Sequence, residues 1–128
     1  MTTRDWLSSV LNDIISCKNA GKMETVFIPV SKVMIEVLKI LKEEGYIEDY
    51  QIEEEKFKRV IIKIGRINKC GSIKPRFFVK KNEFEKYIRR YLPSRSLGIL
   101  ILSTNKGIMT HKKAMELGIG GCLMAYCF

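Results

Sequence analysis

Residues 97–102, Leu-Gly-Ile-Leu-Ile-Leu, form a run that is apolar at nearly every position, and the polar stretch Ser103-Thr104-Asn105-Lys106-Gly107 follows at once. Such a run is far shorter than the roughly 18 residues of a membrane span. Leu92-Pro93 upstream ends any helix before it. The run therefore reads as a buried strand, and a buried strand needs other elements packed around it. Thr110 then caps a short helix that stops at Gly118, and Gly120-Gly121 leads into a final apolar strand, Leu123–Phe128. Before the run, Asn68-Lys69-Cys70-Gly71 is a turn and Ser72–Val79 a strand interrupted by Pro75. Asn82 caps a helix carrying Phe84, Tyr87, Ile88 and Tyr91.

The first half has a different rhythm. Trp6, Leu7, Val10, Leu11, Ile14 and Ile15 recur at helical spacing, which predicts a helix over residues 3–19 with Thr3 as cap and Gly21 as terminator. Glu24–Ile28 is a short strand closed by Pro29. Ser31 caps a second helix, with Val33, Met34, Val37, Leu38 and Leu41 on one stripe and Gly45 as its stop. Tyr46–Glu54 and Phe57–Ile67 are paired strands turning at Glu53-Glu54-Glu55. The expected fold class is α+β: two small α/β subdomains in close contact, meeting near residues 66–70. Residues 1–67 would be an α-β-α-β-β scaffold, and residues 68–128 a mixed sheet with short helices.

Charge divides along nearly the same line. Residues 1–55 hold 6 Lys/Arg against 11 Asp/Glu, a net of −5, whereas residues 56–128 hold 17 against 3, a net of +14. The whole chain of 128 residues carries +9. A basic field of this size is the footprint of phosphate neutralisation, so the second half is expected to meet a polyanion. The first half is expected to prop it up, or to meet a basic protein with its acids. The opening residues lack the basic start and long apolar stretch of a signal peptide, and the expectation is a cytoplasmic protein that does not engage membranes.

Four cysteines stand at positions 17, 70, 122 and 127, with no C-x-x-C, and His111 is the only histidine. That spacing does not build a zinc site, and neither metal nor cofactor is expected. Cys17, Cys122 and Cys127 read as buried small hydrophobes. Cys70 has Arg66, Lys69 and Lys74 nearby, which would lower a thiol pKa. An enzyme using Cys70 as nucleophile on a phosphorylated substrate is the alternative class, and it lacks a base partner. His111, beside a cap, is expected to be exposed.

Two groups of residues carry binding chemistry. In the first, a rigid strand delivers Ser103, Thr104, Asn105, Lys106 and Gly107 to a turn, with Thr110 and Lys112 at the following helix start. Hydroxyls and exposed N–H groups bond phosphate and ribose oxygens, although a plain polar turn with an N-cap accounts for the same composition. In the second, Gly65 to Lys81 hold six cations in an expected hairpin, among them Lys69, Lys74 and Arg76 beside Phe77-Phe78. At least one of those two rings should be core, since strand neighbours point to opposite faces.

The stretch Ser103-Thr104-x-x-Gly107-Ile108-Met109-Thr110-x-Lys112, with Gly120-Gly121 and an apolar end, resembles the signature of the S-eight family of small-subunit ribosomal proteins. Gly65–Gly71, Lys74-Pro75-Arg76-Phe77 and Tyr91-Leu92-Pro93-Ser94-Arg95 are similar to its archaeal and eukaryotic branch. Asp5, Leu7, Leu11, Asn12, Ser31-Lys32 and Gly45-Tyr46-Ile47 extend the likeness over the whole chain. The resemblance implies a non-enzymatic protein that binds the central domain of small-subunit ribosomal RNA beside neighbouring ribosomal proteins. It implies that Ser103–Gly107 centre the contact with an irregular RNA helix and that Lys69, Lys74 and Arg76 hold flanking phosphates. Bacterial relatives can also bind a messenger RNA that mimics the ribosomal site. Cys122 stands where many of those relatives carry an acidic residue.

Overall fold

A computed structural model describes residues 6–27, 32–54, 58–73, 78–94 and 97–128. The proposed caps Thr3 and Ser31, and Lys74 to Phe77, lie outside them. The chain divides into two compact units, Met1–Lys69 and Cys70–Phe128, each an α+β assembly around its own antiparallel sheet.

In the first unit the apolar stripes turn to the core, apart from Val33, which stays exposed. Helix α1 (Trp6–Asn19) buries Leu7, Val10, Leu11, Ile14 and Cys17, and α2 (Lys32–Glu43) buries Met34, Val37, Leu38 and Leu41. Both helices end in the bond pair of a Schellman motif; in α2 the Gly45 N–H donates to Lys42 O and the Tyr46 N–H to Leu41 O. Strands β1 (Glu24–Phe27), β2 (Ile47–Glu54) and β3 (Lys58–Ile64) are ordered β1-β3-β2. Val60 and Ile62 on the central strand and Ile47 on β2 complete the core. Part of the acidic charge is spoken for here. Glu53 Oε2 accepts from Arg59 at 2.6 and 2.8 Å, and Asp49 meets Lys42 at 3.0 Å. Lys42, helped by the Tyr50 N–H, holds the Asp49 carboxyl below its ordinary pKa.

The second unit contains β4 (Cys70–Ser72), β5 (Phe78–Val79), α3 (Phe84–Tyr91), β6 (Ile99–Thr104), β7 (Gly107–Thr110), α4 (His111–Leu117) and β8 (Gly121–Cys127). The order is β4-β8-β6-β7, with β5 pairing β8 beside β4. Leu100, Leu102 and Leu123 from the sheet meet Phe84, Ile88 and Leu92 from the α3 segment and Ala114 from α4. No described helix is long and apolar enough to cross a membrane.

Several expectations are corrected. The second sheet is antiparallel between all described neighbours, not mixed. Helix α4 joins β7 to β8, which run parallel to each other but flank β6. Helix α3 joins β5 to β6 around β8 in the same way. The inserted helices suggest parallel neighbours, but each crossover skips one strand. The Asn68–Gly71 turn ends earlier, because Cys70 and Gly71 already pair with Cys127 and Tyr126. The basic stretch is no hairpin: its two ends, β4 and β5, both pair with β8. Residue 83, not 82, holds the N-cap position of α3, and its side chain makes no cap bond: Glu83 Oε1 accepts from the Lys80 N–H instead.

Candidate nucleic-acid interface

The predicted polar loop is a tight hairpin. Ser103 and Thr104 are the last residues of β6, and Thr104 pairs with Gly107 across the two-residue turn Asn105-Lys106. Ser and Thr tolerate extended backbone as readily as a loop, so hydroxyl-rich composition could not place the strand end. The Thr104 hydroxyl donates to Gly107 O at 2.8 Å and accepts from the Lys106 N–H at 3.1 Å. Its first task is thus to close the turn. The described non-glycine residues all keep negative φ, and Gly107 takes φ 113°. Nothing lies within 4 Å of a Cβ added there, so the demand is purely conformational. Gly107→Ala is expected to cost about 1 kcal/mol in urea unfolding without other disturbance.

Ser103, Thr104 and Asn105 line an open cleft of about 490 Å³ with Phe78, Ile119, Gly120, Gly121 and Cys122. Two glycines line it, Gly120 just before β8 and Gly121 as the first residue of that strand. A Cβ on Gly121 would lie 2.5 Å from Ser103 O, and one on Gly120 would strike Val79 O. β5, β8 and β6 can therefore approach closely at this end of the sheet. Phe78 is 66% exposed at its rim; it points away from the core that takes Val79. Cys122 is only half-buried, contrary to the buried role expected of it. Composition drew attention to the hydroxyls but gave no sign of the opposite wall, which comes from residues 119–122 and 78.

The other candidates spread out. Lys106 is exposed at the hairpin tip. Thr110 closes β7, and its Oγ1 accepts from the Lys113 N–H at 3.3 Å as the cap of α4. Lys112 is exposed on the first turn of α4, and Lys69 is exposed before β4. Lys74 and Arg76 lie outside the described residues. Cys70, which follows Lys69, pairs with Cys127 at the end of the sheet away from the hairpin tip.

His111 and Cys70 are not where the sequence suggested. His111 is 2% exposed. Thr110 is the last β7 residue to pair with β6, opposite Ile101. Where the next rung would fall, the backbone has turned helical, and His111 Nδ1 accepts the Leu100 N–H at 3.1 Å. The acceptor role puts the ring proton on Nε2. Burial, reinforced by Lys112, lowers its pKa from 6.5 to about 4, and the Leu100 bond, which Nδ1 accepts only while unprotonated, favours the same neutral ring. Cys70 is buried opposite Cys127. Their hydrogen bond, and then burial, raise the Cys127 thiol above its ordinary value. A buried Cys70 facing another thiol is no accessible nucleophile, which removes the basis of the enzyme alternative.

The second unit thus combines a hydroxyl-lined hairpin, an adjoining cleft with an exposed ring, and a surface of lysines and arginines. The family model of ribosomal protein S8 matches residues 5–128. That span takes in both units, so the chain belongs to the ribosomal protein S8 family, structural proteins of the small subunit that bind ribosomal RNA.

Proposed function

We propose that this protein binds the central domain of small-subunit ribosomal RNA, recognising an irregular helix through the β6–β7 hairpin. The observation that carries this reading is the cleft, whose one wall is Ser103, Thr104 and Asn105 and whose rim is the exposed Phe78. A shallow minor groove can sit against short hydroxyl side chains, and a displaced base can enter the cleft and stack on the phenylalanine. Ser103, Asn105, Lys106 and the Gly107 backbone make the contacts, while Thr104 shapes the turn that presents them. Thr110 holds the start of α4, from which Lys112 reaches phosphate. Lys69, Lys74 and Arg76 neutralise flanking phosphates. The acidic first unit acts as scaffold and faces neighbouring ribosomal proteins.

Ser103→Ala tests the hairpin. Loss of one hydroxyl contact costs on the order of 1 kcal/mol, about fivefold in Kd, on the cognate ribosomal RNA, and leaves binding to a generic duplex unchanged. Equal weakening on both RNAs would deny the hairpin a part in selectivity. Lys69→Ala should behave in the opposite way. It weakens both RNAs alike and flattens the salt dependence by about one unit of slope.

A further inference from the structure

We propose that the α3 end of the second unit is a further RNA-binding site, separate from the hairpin, in which Arg90, held over Tyr91, receives an unpaired nucleotide. The proposal rests on the reading of the chain as an RNA binder and adds a second point of contact.

Helix α3 is built for two faces. Phe84 and Ile88 enter the core, while Lys86, Arg89 and Arg90 are exposed. None of the three cations forms an ion pair with a described residue. The Arg90 guanidinium carbon lies 5.4 Å from the centre of the Tyr91 ring. That ring stacks on Tyr126 at 5.5 Å with planes 25° apart, and Tyr126 stacks on Phe128 at 6.4 Å. Three half-buried rings and one cation thus make a continuous row. Gly71 opposite Tyr126 makes room for it, since a Cβ there would sit 2.9 Å from the tyrosine oxygen.

A guanidinium held over a ring has already lost much of its freedom, so less is lost when it binds. Its remaining face can stack on a base, and its N–H edge can grip phosphate, with Arg89 and Lys86 adding charge along the helix. The row is remote from the hairpin. Tyr126 pairs with Leu100, and Leu100 is five residues from Asn105 along an extended strand, about 17 Å. One rigid sheet therefore presents two contact points at its opposite ends.

The test uses the full-length protein and a single-stranded oligouridine, followed by fluorescence anisotropy at constant salt. Arg90→Ala should weaken binding about tenfold. Arg90→Lys should recover little, because an ammonium has no plane to stack. Ultraviolet cross-linking should attach the oligouridine to the peptide that contains Tyr91. Unchanged binding by Arg90→Ala, or full recovery by Arg90→Lys, would overturn the proposal, the second by reducing it to bare charge. So would an acidic peptide that binds as tightly with the same dependence on Arg90, which would make the partner a protein. Failure of the hairpin reading looks different: Ser103→Ala would then spare the ribosomal RNA complex whatever Arg90 does.

Discussion

Replacing Gly121 with alanine is expected to destabilise the protein by about 3 kcal/mol, and Gly120→Ala by at least as much. The neighbours explain the size. The added methyl at position 121 meets Ser103 O at 2.5 Å and the Thr104 methyl at 2.8 Å; at position 120 it meets Val79 O and the Lys80 backbone. A flexible side chain could swing aside, but a carbonyl within a strand ladder cannot move without its strand. β8 would have to part from β6 and β5 where the cleft is formed. Urea unfolding measures the loss, and Gly107→Ala, with open space around it, serves as the control. A Gly121→Ala protein within about 0.5 kcal/mol of the parent would contradict this packing. The same variant should bind ribosomal RNA more weakly, because Ser103 moves with the strand.

The second large effect is one of pH. His111 titrates at about 4 in the folded protein and near 6.5 in the unfolded chain. Above pH 6.5 both states are neutral at this ring, and it adds nothing to the pH dependence. As pH falls from 6.5 towards 4, the unfolded chain takes up a proton that the folded protein refuses. Stability is therefore lost across that window, by on the order of 3 kcal/mol at its lower end. Protonation also removes the acceptor that Leu100 uses. His111→Gln keeps a polar side chain without the titration, and its urea midpoint should vary less between neutral pH and the lower end of the window. Parallel losses in the two proteins would assign the acid sensitivity to other groups.

Both effects lie where the sequence is hardest to read. The helical stripes of α1 and α2 are legible because six and five apolar residues at helical spacing leave little choice of face. The β6 run is legible because an apolar stretch that short has to be buried, and its hydroxyl-rich end marks the hairpin. A mixed second sheet is the wrong expectation, because sequence order gives helices between strands but not which strand each crossover skips. His111 looks like a surface residue because its burial depends on a missing rung opposite Leu100, eleven positions away. Cys70 looks activated because cations adjoin it in sequence, whereas in space it faces Cys127. Gly120-Gly121 is visible as a pair, but its purpose is set by Val79 and Ser103, both distant in sequence. Tyr91, Tyr126 and Phe128 form one row with no periodicity to announce it.

The central claim is that this protein reads a particular RNA structure and does not merely neutralise phosphate. Its most direct test is binding to a transcript of the central domain of its own small-subunit ribosomal RNA, beside an unrelated duplex, across a salt series. The account predicts tight binding to the transcript that persists near physiological salt while the duplex is released. Weak binding to both RNAs with the same steep salt slope would contradict it, leaving only the electrostatic term.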